Sequence, residues 1–255
     1  MMNGHFEVSV IPIDEGTPSS RTATASLDEA IVLHLRPYRE TSCLVDVLTQ
    51  ARGRMRLLAK GVRRGRQPPG DLASFSRIRY TIGGRGELRL LTAYEGVPEW
   101  PRLEGEALYC GFYVAELLMR LLPLEDAHPE LYDETLSVIH QLGHSMRAEP
   151  LLRRFERALL EELGYGLSLL DDVLGEPIVA DAYYFYHPEQ GAERVSEGRG
   201  AVPGSTLIAL ARGEFGDGRD LVFAKKLMRS ILDRLLEGRP LKSRELFQTF
   251  SRRTV

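Results

Sequence analysis

Between residues 27 and 95, apolar and polar residues alternate with the two-residue period that is typical of half-buried β-strands. In the clearest example, Met55, Leu57 and Ala59 fall on one face of a segment whose other face is basic. Glycines and prolines separate such segments, and the pattern predicts strands at residues 30–35, 42–49, 54–62, 75–82 and 87–94. Five one-sided strands in about seventy residues favour a small closed barrel of the OB type, which leaves no exposed sheet edge.

After a proline-flanked junction at residues 97–101, the apolar period lengthens to that of an α-helix. The segment 104–122 is apolar on nearly every side, which predicts the central helix of its domain. Further helices are predicted at residues 131–142, 150–163, 206–211, 220–236 and 243–250, with a tyrosine-rich hairpin within 178–195. The predicted fold class is therefore α+β: an N-terminal OB-fold β-barrel followed by an α-helical C-terminal domain with a small β-hairpin insertion.

The same pattern predicts three parts. Residues 1–26 are rich in Ser, Thr and Pro and show no sustained period, so we expect a disordered extension there. Residues 27–97 are predicted to form the OB-fold nucleic-acid-binding domain. Residues 98–255 are predicted to form a helical domain that binds partner proteins.

Composition narrows the class of protein. Hydrophobic residues make up 43% of the chain and charged residues 27%, as in an ordinary globular protein. With only two cysteines, a disulfide framework and a four-cysteine zinc site are both excluded. No apolar run is long enough to cross a bilayer, and the first residues lack a secretory signal. We expect a cytoplasmic, nucleoid-associated protein with no membrane partner.

The net charge of −3 is unevenly divided along the chain. Residues 27–100 hold thirteen Lys and Arg against eight Asp and Glu, and the remainder is acidic. The most basic stretch, residues 52–66, contains seven cations and no acid. A solvated charged strand would explain such a run equally well. The run lies on one face of a strand and in the loop that follows, however, which favours the binding of phosphates.

Aromatic side chains that could stack on bases are few. Tyr38 falls in the first inter-strand loop and Phe75 is predicted to point outward on the fourth strand, whereas Tyr80 and Tyr94 have the parity of the core. We therefore expect contacts mainly with the nucleic-acid backbone, to single strands and duplexes alike. The predicted DNA-binding residues are Arg36, Tyr38, Arg39, Arg52, Arg54, Arg56, Lys60, Arg63, Arg64, Arg66, Arg77, Arg79 and Arg85.

The sequence contains no recognisable catalytic or metal-binding motif. His140 and His144 are one helical turn apart, but a metal site needs further ligands that converge on the same point. The adjacent acids at 125–126, 161–162 and 171–172 suggest a two-metal nuclease only weakly, because neighbouring carboxylates point in different directions. We predict no catalytic residue, no metal and no cofactor. An RNA-binding adaptor built on the same barrel remains an alternative.

Several segments together resemble the recombination mediator family RecO. They are residues 35–42 (LRPYRETS), 44–49 (LVDVLT), 53–61 (GRMRLLAKG), 83–87 (GGRGE), 152–156 (LRRFE), 163–166 (LGYG) and 241–247 (LKSRELF). The resemblance implies an OB-fold followed by a helical domain, binding to single- and double-stranded DNA, and annealing of complementary strands. It also implies work with RecR, so that recombinase is loaded onto DNA coated with single-strand-binding protein.

The resemblance also implies a role for the helical domain. In the family this domain receives the acidic, Phe-ending C-terminal tail of single-strand-binding protein, which would give Arg153, Arg154 and Arg157 the role of binding that tail. Two features depart from the family's pattern. Residues 170–177 contain no cysteine where many members carry a zinc finger, and residues 1–26 exceed the family core.

Overall fold

A computed structural model describes residues 28–63, 70–86, 88–144, 147–216 and 218–254. The front of the chain forms five strands, β1 (Asp28–Tyr38), β2 (Ser42–Thr49), β3 (Gly53–Ala59), β4 (Arg77–Gly83) and β5 (Arg89–Gly96). They close into a barrel with the order β1-β2-β3-β5-β4, in which only the β3–β5 pair is parallel. The predicted OB-type barrel is confirmed.

The alternation of side chains in β3 produces the barrel core. Met55, Leu57 and Ala59 are each at most 1% exposed, while the residues between them reach the outer face. Tyr80 is buried and Tyr94 is half-buried in the same cluster, as their parity predicts.

Strand β1 is longer than the prediction. The sequence places a loop at residues 36–40, but β1 runs to Tyr38, and Pro37 pairs with Cys43 of β2. Strand β4 pairs with β1 only from Asp28 to Ile31, so the far part of β1 has a partner on one side. The missing N–H of Pro37 can face the unpartnered side, where it costs no ladder hydrogen bond.

The back of the chain is mainly helical. Its helices are α1 (Gly105–Leu121), α2 (Pro129–Leu142), α3 (Ala148–Glu162), α4 (Gly204–Arg212), α5 (Gly218–Leu235) and α6 (Lys242–Thr254). A small sheet of order β7-β6-β8 lies between α3 and α4 in the chain, with strands β6 (Tyr183–His187), β7 (Gly191–Val195) and β8 (Val202–Pro203). This confirms the predicted α+β class with a small β insertion. In the described part of the chain, no helix combines the length and the hydropathy that a membrane span requires.

Phe75 links the barrel to the helices, and its predicted outward position is wrong. Its ring is 2% exposed and meets Phe112 of α1 edge to face at 5.4 Å. The residue precedes β4 with φ 71°, so the alternation of the strand does not extend to it. Its carbonyl oxygen accepts a hydrogen bond of 2.7 Å from the Trp100 indole. Phe75 is therefore a structural contact between the two parts of the molecule.

Candidate nucleic-acid interface and helical cavity

Two of the predicted DNA-binding arginines are paired with a buried acid. Asp46 of β2 is 2% exposed and lies opposite Arg56 in the β2–β3 ladder. Its Oδ1 is 2.9 Å from Arg56 Nη2 and 3.8 Å from Arg54 Nη1. Arg54 Nε also donates to the carbonyl oxygen of Leu122 at the end of α1, at 3.1 Å. Because a buried carboxylate needs such partners, these arginines stabilise the fold before they meet any ligand.

On the other side of the barrel, acidic side chains neutralise the charge of a second pair of arginines. Arg77 Nη2 lies 2.5 Å from Glu29 Oε2, and Arg79 lies 3.2 Å from Glu29 and 3.4 Å from Glu95. The hydrogen bonds that Arg79 donates to these carboxylates raise its pKa further above the ordinary range. The positive charge of this face is therefore largely offset by acids.

Several cations without such partners lie together at one end of the barrel. The register pairs Tyr38 with Ser42 and Cys43 with Ala59, so the β1–β2 turn adjoins the exit of β3. The β4–β5 turn, which holds the exposed Arg85, lies at the opposite end, because β4 runs past the start of β1 and β5 begins only beside Leu57. There Arg89 lies 3.7 Å from Glu125, whose N–H bonds the carbonyl oxygen of Arg54. We call the end that carries the β1–β2 turn and the exit of β3 the basic end, and define it by Arg36, Tyr38, Arg39, Lys60 and Arg63.

The basic end presents its charges to solvent. Arg36, Arg39 and Lys60 are exposed, and among the residues that the structure describes none of them has a carboxylate within 4.0 Å. The backbone N–H of Arg63 donates to the carbonyl oxygen of Thr41 at 2.9 Å, which fixes the exit of β3 against the β1–β2 turn. Unpaired cations on a fixed frame attract a polyanion and release its counterions.

Tyr38 is the one predicted stacking residue that stays at this surface. It is partly exposed, and the Arg39 guanidinium lies 5.3 Å from its ring centroid. A ring and a guanidinium side by side offer an unstacked base both a π face and a positive charge.

The remaining predicted DNA-binding residues lie elsewhere. Arg52 is exposed in the β2–β3 turn at the opposite end of the barrel, where its N–H bonds Thr49 Oγ1 at 3.2 Å. Arg64 and Arg66 lie outside the described residues. Among the described residues, the structure therefore divides the predicted set into paired residues of the barrel wall, the basic end, and Arg52 and Arg85 at the opposite end.

The helical part contains a cavity of about 490 Å³ between α1, α3, α5 and α6. Its apolar wall includes Tyr109, Leu152 and Phe247. The rings of Tyr109 and Phe247 meet edge to face, with their centroids 6.4 Å apart. On α3, Leu151 is buried in the core, whereas the neighbouring Leu152 faces the cavity. Four cations line the same space: Arg153, Lys225, Arg229 and Arg244.

Of the three arginines predicted to bind a tail, only Arg153 lines this cavity. Arg154 turns toward α2, where its Nε bonds Glu134 at 2.5 Å and its Nη2 bonds Ser137 at 3.0 Å. Arg157 lies 3.8 Å from Glu161 on the surface of α3. The sequence reasoning missed Lys225, Arg229 and Arg244; the first two are four residues apart on one helix face, which was the available signal.

The start of α6, which carries Arg244, is fixed by a buried acid on α1. Glu116 accepts hydrogen bonds from the backbone N–H groups of Lys242 and Ser243 at 3.0 and 2.8 Å, and from the Ser243 hydroxyl at 2.7 Å. Burial opposes the ionisation of Glu116, but these bonds and the charge of Arg120 outweigh it and lower the pKa. Glu116 also forms an ion pair at 2.8 Å with Arg120, which lies one helical turn further along α1.

The other sites considered from the sequence show no convergence. The rings of His140 and His144 are 4.7 Å apart, but within the described ranges no three His, Cys, Asp or Glu side chains come together as metal ligands. Asp172 Oδ1 accepts the N–H groups of Leu174 and Glu176, each at 2.9 Å, and so shapes a turn. The Asp172 side chain therefore has a structural role in this turn.

The fold defines a class: a two-part α+β protein in which an OB-type barrel precedes a helical part. Comparison with known families then gives the particular one. The family model described as Recombination protein O N terminal matches residues 25–99, and that described as Recombination protein O C terminal matches residues 102–245. The chain belongs to the RecO family of DNA repair proteins.

Curated relatives agree with this assignment. The chain is 45% identical over 226 residues to DNA repair protein RecO of Halorhodospira halophila, with 86% of this chain and 95% of the relative covered. It is 43% identical to DNA repair protein RecO of Dechloromonas aromatica, with 86% and 93% covered. It is 44% identical to the protein of that name from Pseudomonas aeruginosa, with 88% and 95% covered.

Proposed function

We propose that this protein is a recombination mediator that binds single- and double-stranded DNA at the basic end and anneals complementary strands. In the same proposal it helps to load recombinase, together with RecR, onto DNA coated with single-strand-binding protein. The observation that carries the DNA-binding step is the cluster of cations around Tyr38, at the end of the barrel away from Gly53, whose exposed members have no carboxylate partner within the described ranges. The proposal involves binding only and assigns no catalytic residue.

The basic end suits contacts with phosphates rather than with particular bases. Arginine and lysine side chains on turns can follow a backbone of either a single strand or a duplex, and each neutralised phosphate adds to the salt dependence of binding. Bringing two strands to one positive surface lowers their mutual repulsion, which is the physical requirement for annealing.

We assign the cavity of the helical part to the C-terminal tail of single-strand-binding protein. A Phe-ending acidic peptide needs an apolar recess for its ring and cations for its carboxylates. Leu152 and Phe247 offer the recess, and Arg153, Lys225 and Arg244 offer the charge. Arg154 and Arg157 then act indirectly, by holding α3 in place.

A pair of charge-reversed variants tests the DNA-binding step. We expect Arg39→Glu with Lys60→Glu to weaken binding of labelled single strands and duplexes at least tenfold and to flatten the salt dependence. Arg234→Glu with Arg239→Glu makes the same change of charge on exposed residues of the helical part and should have little effect. Equal losses in both variants would contradict the assignment of the basic end.

Two experiments test the alternative functions, an RNA-binding adaptor and a metal-dependent nuclease. Tighter binding of RNA than of DNA of the same sequence would favour the adaptor. Cleavage of labelled DNA in Mg²⁺ or Mn²⁺ that is lost in Asp172→Asn would favour the nuclease.

A further inference from the structure

The floor of the helical cavity holds a buried carboxyl group. Glu156 is 1% exposed, and its Oε1 accepts hydrogen bonds from the Tyr113 hydroxyl at 2.6 Å and from Arg153 Nη2 at 2.5 Å. Its Oε2 is also buried and, within the described structure, has no hydrogen-bond partner. An ionised carboxylate with one unsatisfied oxygen is costly in such a place, so the charged form of Glu156 depends on the bonds from Arg153 and Tyr113 to Oε1.

Charges from all four helices face Glu156. Burial raises its pKa, while Arg153 of α3, Tyr113 of α1, Arg244 of α6 and Lys225 of α5 act in the opposite direction. Two of these cations are already engaged, since Lys225 bonds Glu149 at 2.6 Å and Arg244 bonds Asp233. The other charged groups at the rim are Glu106 and Arg229. Arg153 is therefore the cation that ion-pairs with Glu156 itself.

We propose that Glu156 takes up a proton when a carboxylate of an acidic tail binds to Arg153, so that tail binding at this cavity is linked to protonation. The inference rests on the proposed tail-binding function. Two carboxylates that share one cation in a dry site repel each other, and the proton binds to the one that solvent stabilises less. The proton comes from water and adds at Oε2, while Oε1 keeps its bond from Tyr113. The charge of Arg153 is then available to the tail.

The direction of the linkage follows from this step. Tail binding raises the pKa of Glu156, so the bound complex holds more protons than the free protein, and affinity falls as pH rises. At low pH Glu156 is protonated in both the free protein and the complex, and at high pH it is ionised in both. Affinity therefore depends on pH only between these limits, in a window above the ordinary pKa range of a glutamate. The carboxyls of a free peptide titrate near about pH 4, below this window.

Isothermal titration calorimetry measures the linkage directly. The probe is a synthetic peptide with several Asp residues and a C-terminal Phe, titrated between about pH 5.5 and pH 8.5 in buffers of different ionisation enthalpy. We expect uptake of up to about one proton per peptide, with affinity falling by at most about tenfold per pH unit. Glu156→Gln should abolish the uptake and bind at high pH at least as tightly as the unaltered protein. Glu189→Gln, which removes an exposed charge that does not line the cavity, should leave the uptake unchanged.

A second variant distinguishes proton uptake from a purely structural role. The hydroxyl of Tyr113 favours the ionised form of Glu156, so Tyr113→Phe should move the window to higher pH as well as change affinity. Peptide binding without proton uptake, or uptake that persists in Glu156→Gln, would overturn the inference. If Glu156→Gln does not fold, as judged by circular dichroism, the shift in Tyr113→Phe decides. A folded protein that binds no peptide at any pH would overturn the tail-binding proposal itself.

Discussion

Gly53 and Asp126 approach each other so closely that a Cβ on residue 53 would lie 1.5 Å from the Asp126 carbonyl oxygen. Gly53 begins β3 with φ 64°, and Asp126 belongs to the connection between α1 and α2. Next to this contact, the N–H of Glu125 donates to the carbonyl oxygen of Arg54 at 2.8 Å. The connection therefore continues the edge of the barrel and fixes the helices to it, at the end opposite the cations of the basic end.

Replacing Gly53 by alanine should strongly destabilise the protein. The left-handed backbone costs an alanine about 1 kcal/mol, and the clash with a backbone oxygen adds more, so we expect a loss of at least about 2 kcal/mol. Gly61→Ala is the matched control, because Gly61 has φ 68° but no atom within 4 Å of the added Cβ. Urea unfolding of both variants gives the comparison. Equal losses would show that the close contact contributes nothing beyond the backbone conformation.

Asp46→Asn should destabilise the barrel without weakening DNA binding. The change leaves Arg54, whose side chain is 11% exposed, without its charged partner, and we expect a loss of about 2–4 kcal/mol. DNA affinity should hold or rise, since a negative charge has been removed and Arg56 is released. Urea unfolding and DNA titration below the unfolding transition measure the two effects. Glu29→Gln, on the balanced face, should cost less than about 1 kcal/mol.

The faces of the strands could be predicted from the sequence because burial follows alternation, as at Leu57 in the barrel core. The pairing of charges could not, because it depends on register: Asp46 meets Arg56 only once β2 and β3 are aligned. Phe75 marks the limit of alternation, since it lies two residues before β4 and its positive φ places it outside the pattern of the strand.

The residues that line the cavity were the hardest to predict, because they too meet only in the folded structure. Its cations come from three helices, and only their packing brings Arg153, Lys225 and Arg244 together. The division of the chain at residues 97 and 98 and the roles of single cations remain predictions.

Tyr38 should contribute to the binding of single strands more than of duplexes. An exposed ring can stack on an unpaired base, and such contacts are worth about 1–3 kcal/mol each, whereas bases within a duplex are already stacked. We expect Tyr38→Ala to weaken binding of a labelled single strand by about tenfold or more and to change duplex binding little, while Tyr38→Phe retains affinity. Fluorescence anisotropy with both DNA forms measures this. A parallel loss for duplex would indicate that the ring acts only by holding Arg39, which lies over it.

Glu116→Gln should lower the free energy of unfolding at neutral pH and also weaken peptide binding at the cavity. Because the hydrogen bonds from Lys242 and Ser243 lower the folded-state pKa of Glu116, its contribution is complete above the unfolded pKa. The contribution is lost as pH falls through the folded value. Unfolding free energies of the variant and the unaltered protein should therefore differ most near pH 7 and converge on acidification. The expected difference at neutral pH is about 1.5–3 kcal/mol, as for a hydrogen-bonded charge.

The same variant connects stability to binding. Glu116 fixes the start of α6, and Arg244 lies one turn into that helix, so loss of the cap should also weaken binding of an acidic peptide ending in Phe. Arg120→Gln serves as the control, because it removes the ion pair with Glu116 but leaves the bonds to α6 in place. A difference in stability that does not change with pH would show that the carboxylate charge plays no part. Unaltered peptide affinity in Glu116→Gln would show that Arg244 does not depend on the cap.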